Sequence, residues 1–266
     1  MKPEKKEWHT FAVCAYQESP YLEECLRSLQ KQTIATNIIV VTSTPNDHIR
    51  GLCEKYCLPL YVNPGEGGIT QDWNYAYRTA PTPYVTIAHQ DDVYHSRYTE
   101  NMFRMIEKSG RPLIFFTDYA EYRDGSIVSS NRLLRIKRIM LAPLLIKPFR
   151  SSIFVRRRIL SMGSPICCPS VTFIKPSLGD FAFENHFRAD EDWEAWEKIS
   201  RMKGDFLFCR KPLMLHRIHV DSETTRILSD NKRGEEDLYM FRKFWPEPVA
   251  MGLTRVYGSS EKSNQL

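Results

Sequence analysis

Between Gly125 and Gly179 the sequence contains no aspartate or glutamate, although ten lysines and arginines fall there. A net charge of only +5 hides this imbalance. A one-signed stretch of such length points either to a solvated basic face or to an anionic neighbour. Long apolar runs are also missing. None approaches the roughly 18 residues that span a bilayer, and the opening Met1-Lys2-Pro3-Glu4-Lys5-Lys6-Glu7 has no apolar core of the signal-peptide kind. A cytoplasmic protein is therefore expected. The seven cysteines (Cys14, Cys25, Cys53, Cys57, Cys167, Cys168, Cys209) are odd in number and never spaced C-x-x-C. That argues against a zinc site and for reduced cysteines in the core. No G-x-G-x-x-G opens a helix after the first predicted strand, so the dinucleotide-binding fingerprint fails. No recognition motif accompanies the basic charge, so no nucleic-acid partner is expected.

What is present suits a soluble enzyme. The 266 residues are 42% hydrophobic and 26% charged, enough for one large domain or two small ones. Thr10–Tyr16 reads as a first strand, and Ser19 with Pro20 as a helix start. Leu22, Cys25, Leu26 and Leu29 form one apolar helical face. Ile38–Val41 is apolar throughout, as in a parallel strand covered on both sides. A helix near Asp47–Tyr56 and a short strand at Leu60–Val62 precede Asn63-Pro64-Gly65-Glu66-Gly67-Gly68, where three glycines allow close backbone approach. A helix at Thr70–Thr79, a strand at Tyr84–Ala88, a helix near Arg97–Lys108 and a strand at Leu113–Phe116 complete an alternation that predicts a parallel α/β sheet. Beyond Asp118 the alternation lapses. Asn131–Met162 mixes cations with apolar residues, and Cys167–Ile174 reads as a returning strand. A helix runs from Asp192 to about Met202, Phe206–Cys209 and Leu213–His216 read as two strands, and Glu223–Phe244 as a charged helix. From Gly258 the tail is polar and expected to be unstructured.

Ile87-Ala88-His89-Gln90-Asp91-Asp92 is the stretch on which chemistry would centre. Its acids fall at the carboxyl end of a strand, the edge where open α/β sheets bind ligands. Paired carboxylates there suit a hard divalent cation holding a phosphorylated ligand. The alternative is that Asp92 caps the following helix and Asp91 is solvated.

Four segments carry a resemblance. They are Phe11–Glu18 with Tyr21–Thr33, His89-Gln90-Asp91-Asp92, Asp190-Glu191-Asp192-Trp193, and Arg217-Ile218-His219-Val220-Asp221-Ser222-Glu223-Thr224. In this order, over most of residues 10 to 225, they resemble the opening strand and helix, the D-x-D-type metal motif, the acidic pair before a Trp, and the late R-x-H-x-x-S-x-T segment of glycosyltransferase family 2. The resemblance implies an α/β GT-A fold, with a Rossmann-like, mostly parallel central sheet flanked by helices and a smaller C-terminal acceptor-side region. It divides the chain into a nucleotide-sugar half at 1–118, an acceptor and catalytic half at 119–225 with a basic insertion at 131–162, and a C-terminal helix and tail at 226–266.

The same resemblance implies an inverting sugar transfer from a nucleoside diphosphate sugar to a hydroxyl of a saccharide or lipid-linked acceptor, as in bacterial surface polysaccharide or glycolipid synthesis. Mn²⁺ or Mg²⁺ would be held by Asp91 and His219, with Asp92 behind Asp91. Ala15, Tyr16, Glu18, Thr42, Asp72, Asn74, Gln90 and Asp91 would line the nucleotide-sugar. Asp192 would be the base, because an alcohol is barely ionised at neutral pH, with Glu191 an acceptor contact or substitute base. Against these stand plainer roles: a core tyrosine for Tyr16, a packing histidine for His219, helix braces for Asp72 and Asn74, and a dipole-favoured acid for Asp192. Two departures from the family pattern are visible. His89 replaces the first acid of the metal motif, and Val41-Thr42-Ser43-Thr44 lacks the aspartate that usually reads the base. A uridine diphosphate sugar remains the default. The alternatives are a sugar-nucleotide nucleotidyltransferase, which would need a basic glycine loop where Ala15-Tyr16-Gln17-Glu18 stands, and a catalytically silent carbohydrate- or membrane-binding relative. Residues 131–162 could meet an anionic membrane, cations with interleaved apolar residues being the pattern for a peripheral contact at the membrane's inner face.

Overall fold

The predicted alternation becomes one sheet. The computed structural model describes residues 5–123, 125–184, 186–219 and 233–262. Strand β1 (His9–Ala15) lies between β2 (Asn37–Thr42) and β4 (Tyr84–His89), parallel to both, and β3 (Leu60–Val62) extends the parallel set beyond β2. β1, β2 and β4 are buried on both sides, which is why they read as unbroken apolar runs, while the edge strand β3 is largely exposed. Phe11, Val13 and Ala15 enter the core on one side with α1 (Leu22–Gln30), α2 (Asp47–Lys55) and α4 (Tyr98–Ile106), while Ala12 enters on the other with α3 (Ile69–Thr79). Leu22, Leu26 and Leu29 of α1 are 2% exposed or less, each contributing about 1.5–3 kcal/mol by burial. Helix α1 begins at Leu22, two residues after the expected Pro20; Ser19 Oγ still accepts from the Tyr21 N–H at 3.3 Å.

Beyond β4 the sheet is mixed. Its order is β3-β2-β1-β4-β8-β6-β9-β5, and β7 (Ser126–Val128) pairs with β6 (Pro112–Arg123). β8 (Val171–Ile174) runs antiparallel between β4 and β6. The expected strand at Cys167 starts later, because Cys168–Ser170 with its proline forms a 3-10 turn. The two strands expected between Phe206 and His216 are one, β9 (Asp205–Ile218), parallel to β6 with register shifts beside Asp118. The irregularity falls near Pro212, which has no N–H for the ladder. β5 (Val93–Tyr94), too short to read from sequence, pairs antiparallel with β9. Gly204, at φ +144°, makes the turn into β9, where a Cβ would come 2.7 Å from the Arg111 carbonyl oxygen. The division expected after residue 118 falls inside β6.

The basic stretch folds as α5 (Arg132–Leu141), a 3-10 turn at Ala142–Leu145, α6 (Lys147–Arg150) and α7 (Ile153–Leu160). Asn131 caps α5 by accepting from the Leu134 N–H at 2.8 Å. Arg156 of α7 is not a surface cation. It is 1% exposed and donates to the carbonyls of Gly204, Ser200 and Met202 at 2.5, 3.1 and 2.7 Å, at the carboxyl end of α9 (Glu191–Ser200), where a helix favours positive charge. α8 (Lys175–Leu178) follows β8, and α10 (Arg233–Arg242) and α11 (Glu247–Lys262) close the fold. The tail expected to be unstructured from Gly258 is helical as far as Lys262. The beginning of the expected 223–244 helix and the Val220–Thr224 part of the late motif lie outside the described residues.

Candidate active site

β4 carries His89 to the carboxyl edge of the parallel set, where Trp73 of α3 stacks on its ring at 5.3 Å and 16°. One ligand atom each from His89, Asp91 and Asp92 lie within 4.8 Å of one another. Asp92 is fully buried. Its Oδ1 accepts from the Arg217 N–H at 3.0 Å and lies 3.0 Å from His216 Nδ1, but its Oδ2 has no hydrogen-bond partner. His89 Nε2 is buried and unpartnered as well. Such atoms cost about 1–3 kcal/mol each when left unsatisfied, so an orphaned Asp92 Oδ2 with His89 Nδ1 4.0 Å away and Asp91 in the same group fits a site for a cation. His219 Nε2 lies 3.0 Å from Asp91 Oδ2. Burial works to raise the Asp91 carboxyl, but the His219 hydrogen bond and the charges of His89 and His216 outweigh it and hold it below the usual range. Burial lowers His89, favouring the neutral imidazole that ligates metals. For His216 burial acts the same way, yet the adjacent Asp92 outweighs it and the net shift is upward.

Arg217 braces the group from behind. Its guanidinium is held between the rings of Tyr21 and Tyr122, 4.3 Å from each, and its Nε donates to the Asp91 carbonyl at 2.8 Å. The shift in β9 near Pro212 precedes the stretch that sets His216 and the Arg217 N–H on Asp92, a use of strand irregularity found beside functional sites.

Ala15 ends β1, and beyond it Tyr16 is 46% exposed, which rules out the core role for that tyrosine. The Gln90 amide pairs with the Tyr16 backbone in both directions, at 2.9 and 3.1 Å. Gln17 takes φ +53° and donates its N–H to Thr44 Oγ1 at 2.7 Å, while Glu18 is exposed. Thr42 is buried, accepting from the Thr44 N–H at 3.0 Å. Asp72 is buried too, its two oxygens accepting from Ser43 Oγ at 2.7 Å and Asn63 Nδ2 at 2.8 Å. A carboxylate therefore does stand at the end of β2, supplied by α3. Asn74 gives both ends of its amide to the Phe183 backbone, at 2.8 and 2.9 Å, which is the bracing role.

α9 opens with Glu191 and Asp192 over two fully buried rings, Trp193 and Trp196. Asp192 is partly exposed, and burial pushes its carboxyl up to about 6 against the lowering charge of Lys137. Glu191 is 6% exposed. The loop before them is tied to α10: the N–H groups of Arg188, Ala189 and Asp190 donate to the Glu236 carboxylate at 3.0, 2.9 and 3.3 Å. Burial raises both Asp190 and Asp237, and the charge of Asp237 raises Asp190 further.

A sequence profile described as glycosyl transferase family 2 matches residues 10–174. The chain belongs to glycosyltransferase family 2. Its fold resembles that of solved structures. TarS of S. aureus, residues 1–349 in complex with UDP-GlcNAc, aligns with a TM-score of 0.65 at 17% identity over 93% of this chain and 70% of that one. The mannosyltransferase PcManGT from Pyrobaculum calidifontis, in complex with GDP-Man and Mn²⁺, aligns with a TM-score of 0.63 at 14% identity over 97% of this chain and 76% of that one. At these identities the likeness is one of GT-A architecture. No curated protein matches the chain in sequence.

Within this family 2 frame, several residues at the site were not singled out from the sequence. His216 stands immediately before the late motif and looked like strand. Glu236 reaches a loop 46 residues away from it, beyond any local signal. Lys137 looked like one more cation in a basic run.

Proposed function

We propose that the chain transfers a sugar, with inversion, from a nucleoside diphosphate sugar to a hydroxyl of a saccharide or lipid-linked acceptor. The observation that carries this reading is the grouping of ligand atoms of His89, Asp91 and Asp92 within 4.8 Å of one another, with Asp92 Oδ2 lacking a hydrogen-bond partner, at the strand edge of a family 2 fold. Mn²⁺ or Mg²⁺ would be held there by Asp91, His89 and Asp92 with His219 beside them, and when bound it would neutralise the departing diphosphate. Ala15, Tyr16 and Glu18 would line the nucleotide, with exposed Tyr16 free to stack on the base and Gln90 fixing its backbone. Thr42, Asp72 and Asn74 would shape this side through their neighbours. Asp192 would take the acceptor proton, its raised carboxyl ionising near neutrality as a base requires, and Glu191 would hold the acceptor. A UDP-sugar remains the default, with the Asp72 carboxylate at the end of β2 available to read the base. Hydrolysis of UDP- and GDP-sugars with Mn²⁺ and no added acceptor tests the reading. Turnover of one of them that Asp91→Ala abolishes supports it. An inert wild-type chain would favour a silent binding relative, and product with the nucleotide-sugar's own anomeric configuration would overturn inversion.

The basic segment suits a lipid-linked acceptor at an anionic membrane, which would place the enzyme at the cytoplasmic face in surface-polysaccharide or glycolipid synthesis. Ile139 and Phe154 are each 73% exposed and Ile146 53%, among cations that contribute about 1 kcal/mol each near such a surface. No helix among the described residues is long and apolar enough to cross a membrane, so the contact proposed is a peripheral one.

A further inference from the structure

We propose that Lys137 is an anion-binding residue of the cleft, setting its ammonium against phosphate oxygens of a substrate between Asp192 and the Asp91–Asp92 group. The sugar-transfer reading enters only in saying to which substrate the phosphate belongs. Elsewhere in the basic segment, inward-turned cations are satisfied by protein groups. Arg138 meets Asp118 at 2.7 Å, Arg156 meets three carbonyls, and Arg157 bonds the buried Glu197.

Lys137 is different. From α5 its Nζ donates to Tyr119 Oη at 3.0 Å and lies 5.5 Å from that ring's centroid. Among the described residues no carboxylate lies within 4.0 Å of it. An ammonium has three N–H groups, and the hydroxyl uses one. Tyr119 is itself held: it is 5% exposed, and its ring stands edge-on to His216 at 6.1 Å, which in turn lies 3.0 Å from Asp92. The cation is thus two side chains away from the acidic group. On its other side its charge draws the Asp192 carboxyl down, and it opposes protonation of His216. A partly buried cation with no carboxylate in ion-pair contact is costly unless a ligand brings one. A compact ammonium held in place by a fixed hydroxyl is a point-charge seat for a phosphate oxygen. Two substrates could bring that oxygen: the diphosphate of the nucleotide-sugar, or a phosphate on the acceptor.

Calorimetric titrations of wild type, Lys137→Met and Lys137→Arg with UDP, GDP, uridine and glycerol 3-phosphate test the inference, with melting temperatures confirming that each variant is folded. If the diphosphate is the ligand, Lys137→Met weakens UDP or GDP by roughly tenfold, the loss of one charged hydrogen bond, and leaves uridine unchanged. If the acceptor phosphate is the ligand, the nucleotide affinities hold and glycerol 3-phosphate weakens instead. In both cases Lys137→Arg retains part of the affinity. A folded Lys137→Met that binds all four probes like the wild type overturns the inference. A wild-type chain that binds glycerol 3-phosphate but neither UDP nor GDP overturns the sugar-transfer reading and leaves Lys137 to be judged on glycerol 3-phosphate. One that binds no phosphate-bearing probe overturns both.

Discussion

Asp192 and Asp91 are both acids, yet their surroundings push them in opposite directions. Burial raises Asp192 to about 6, whereas His219 and its neighbours hold Asp91 down. A base must be ionised to accept a proton, so turnover is expected to rise with pH through about 6 and level off above it. Asp192→Asn should lower kcat by about 10²–10⁴-fold and remove that limb, which a pH–rate profile of both proteins would show. His89 stands where the resembled motif has an acid, and its Nδ1, 4.0 Å from the orphaned Asp92 Oδ2, predicts that His89→Ala weakens Mn²⁺ binding. Titration followed by electron paramagnetic resonance should show the loss, with UDP absent so that nucleotide contacts do not contribute. His89 and Asp91 were legible because a strongly apolar run stops there and acids begin, and Asp192 through the acidic pair before Trp193. His216 was not, because its position depends on pairing between strands far apart in sequence.

The elements that hold the site are fastened by buried charges placed at their ends. Arg156 closes the carboxyl end of α9 through three carbonyls. Arg156→Met should therefore cost roughly 2–4 kcal/mol, read as a lowered midpoint in urea unfolding. From sequence this arginine could not be told from its exposed neighbours Arg135 and Arg132, since burial is decided by what α7 packs against. Glu236 does the corresponding work at the other end of α9, collecting three N–H groups of the loop that leads to Glu191 and Asp192. Glu236→Ala should lower kcat by about tenfold or more, since small misplacements of a reacting group are expensive in rate, while leaving nucleotide affinity unchanged. A drop in nucleotide affinity equal to that in kcat would argue for general unfolding instead. The first six elements were readable from periodicity alone. β5, with two residues, lacked any local pattern strong enough to mark it, and for β8 the strand was legible but not its later start after a 3-10 turn or its antiparallel direction.

At the scale of the whole molecule, charge and exposed apolar surface fall on the same side of the chain's sequence. Ile139, Phe154 and Ile146 protrude from the segment that holds no acid. Wild-type protein should float with anionic vesicles at low salt and stay behind with neutral ones. Replacing Ile139 and Phe154 together by Ser should weaken flotation while leaving hydrolysis of a soluble nucleotide-sugar intact. The composition suggested this face, and the fold adds which apolar residues are left outside the core.

The insertion of β8 between β4 and β6, with β9 beyond, also bears on how the protein comes into being. β4 has no partner on that side until Val171–Ile174 has emerged from the ribosome, and β6 waits for Asp205–Ile218. The early half of the chain thus carries two bare sheet edges during synthesis, each able to pair with another nascent copy. Halting translation after residue 118 would leave β6 cut in its middle and both edges open, so residues 1–118 are expected to reach their native form only after the strand bearing His216 has been made.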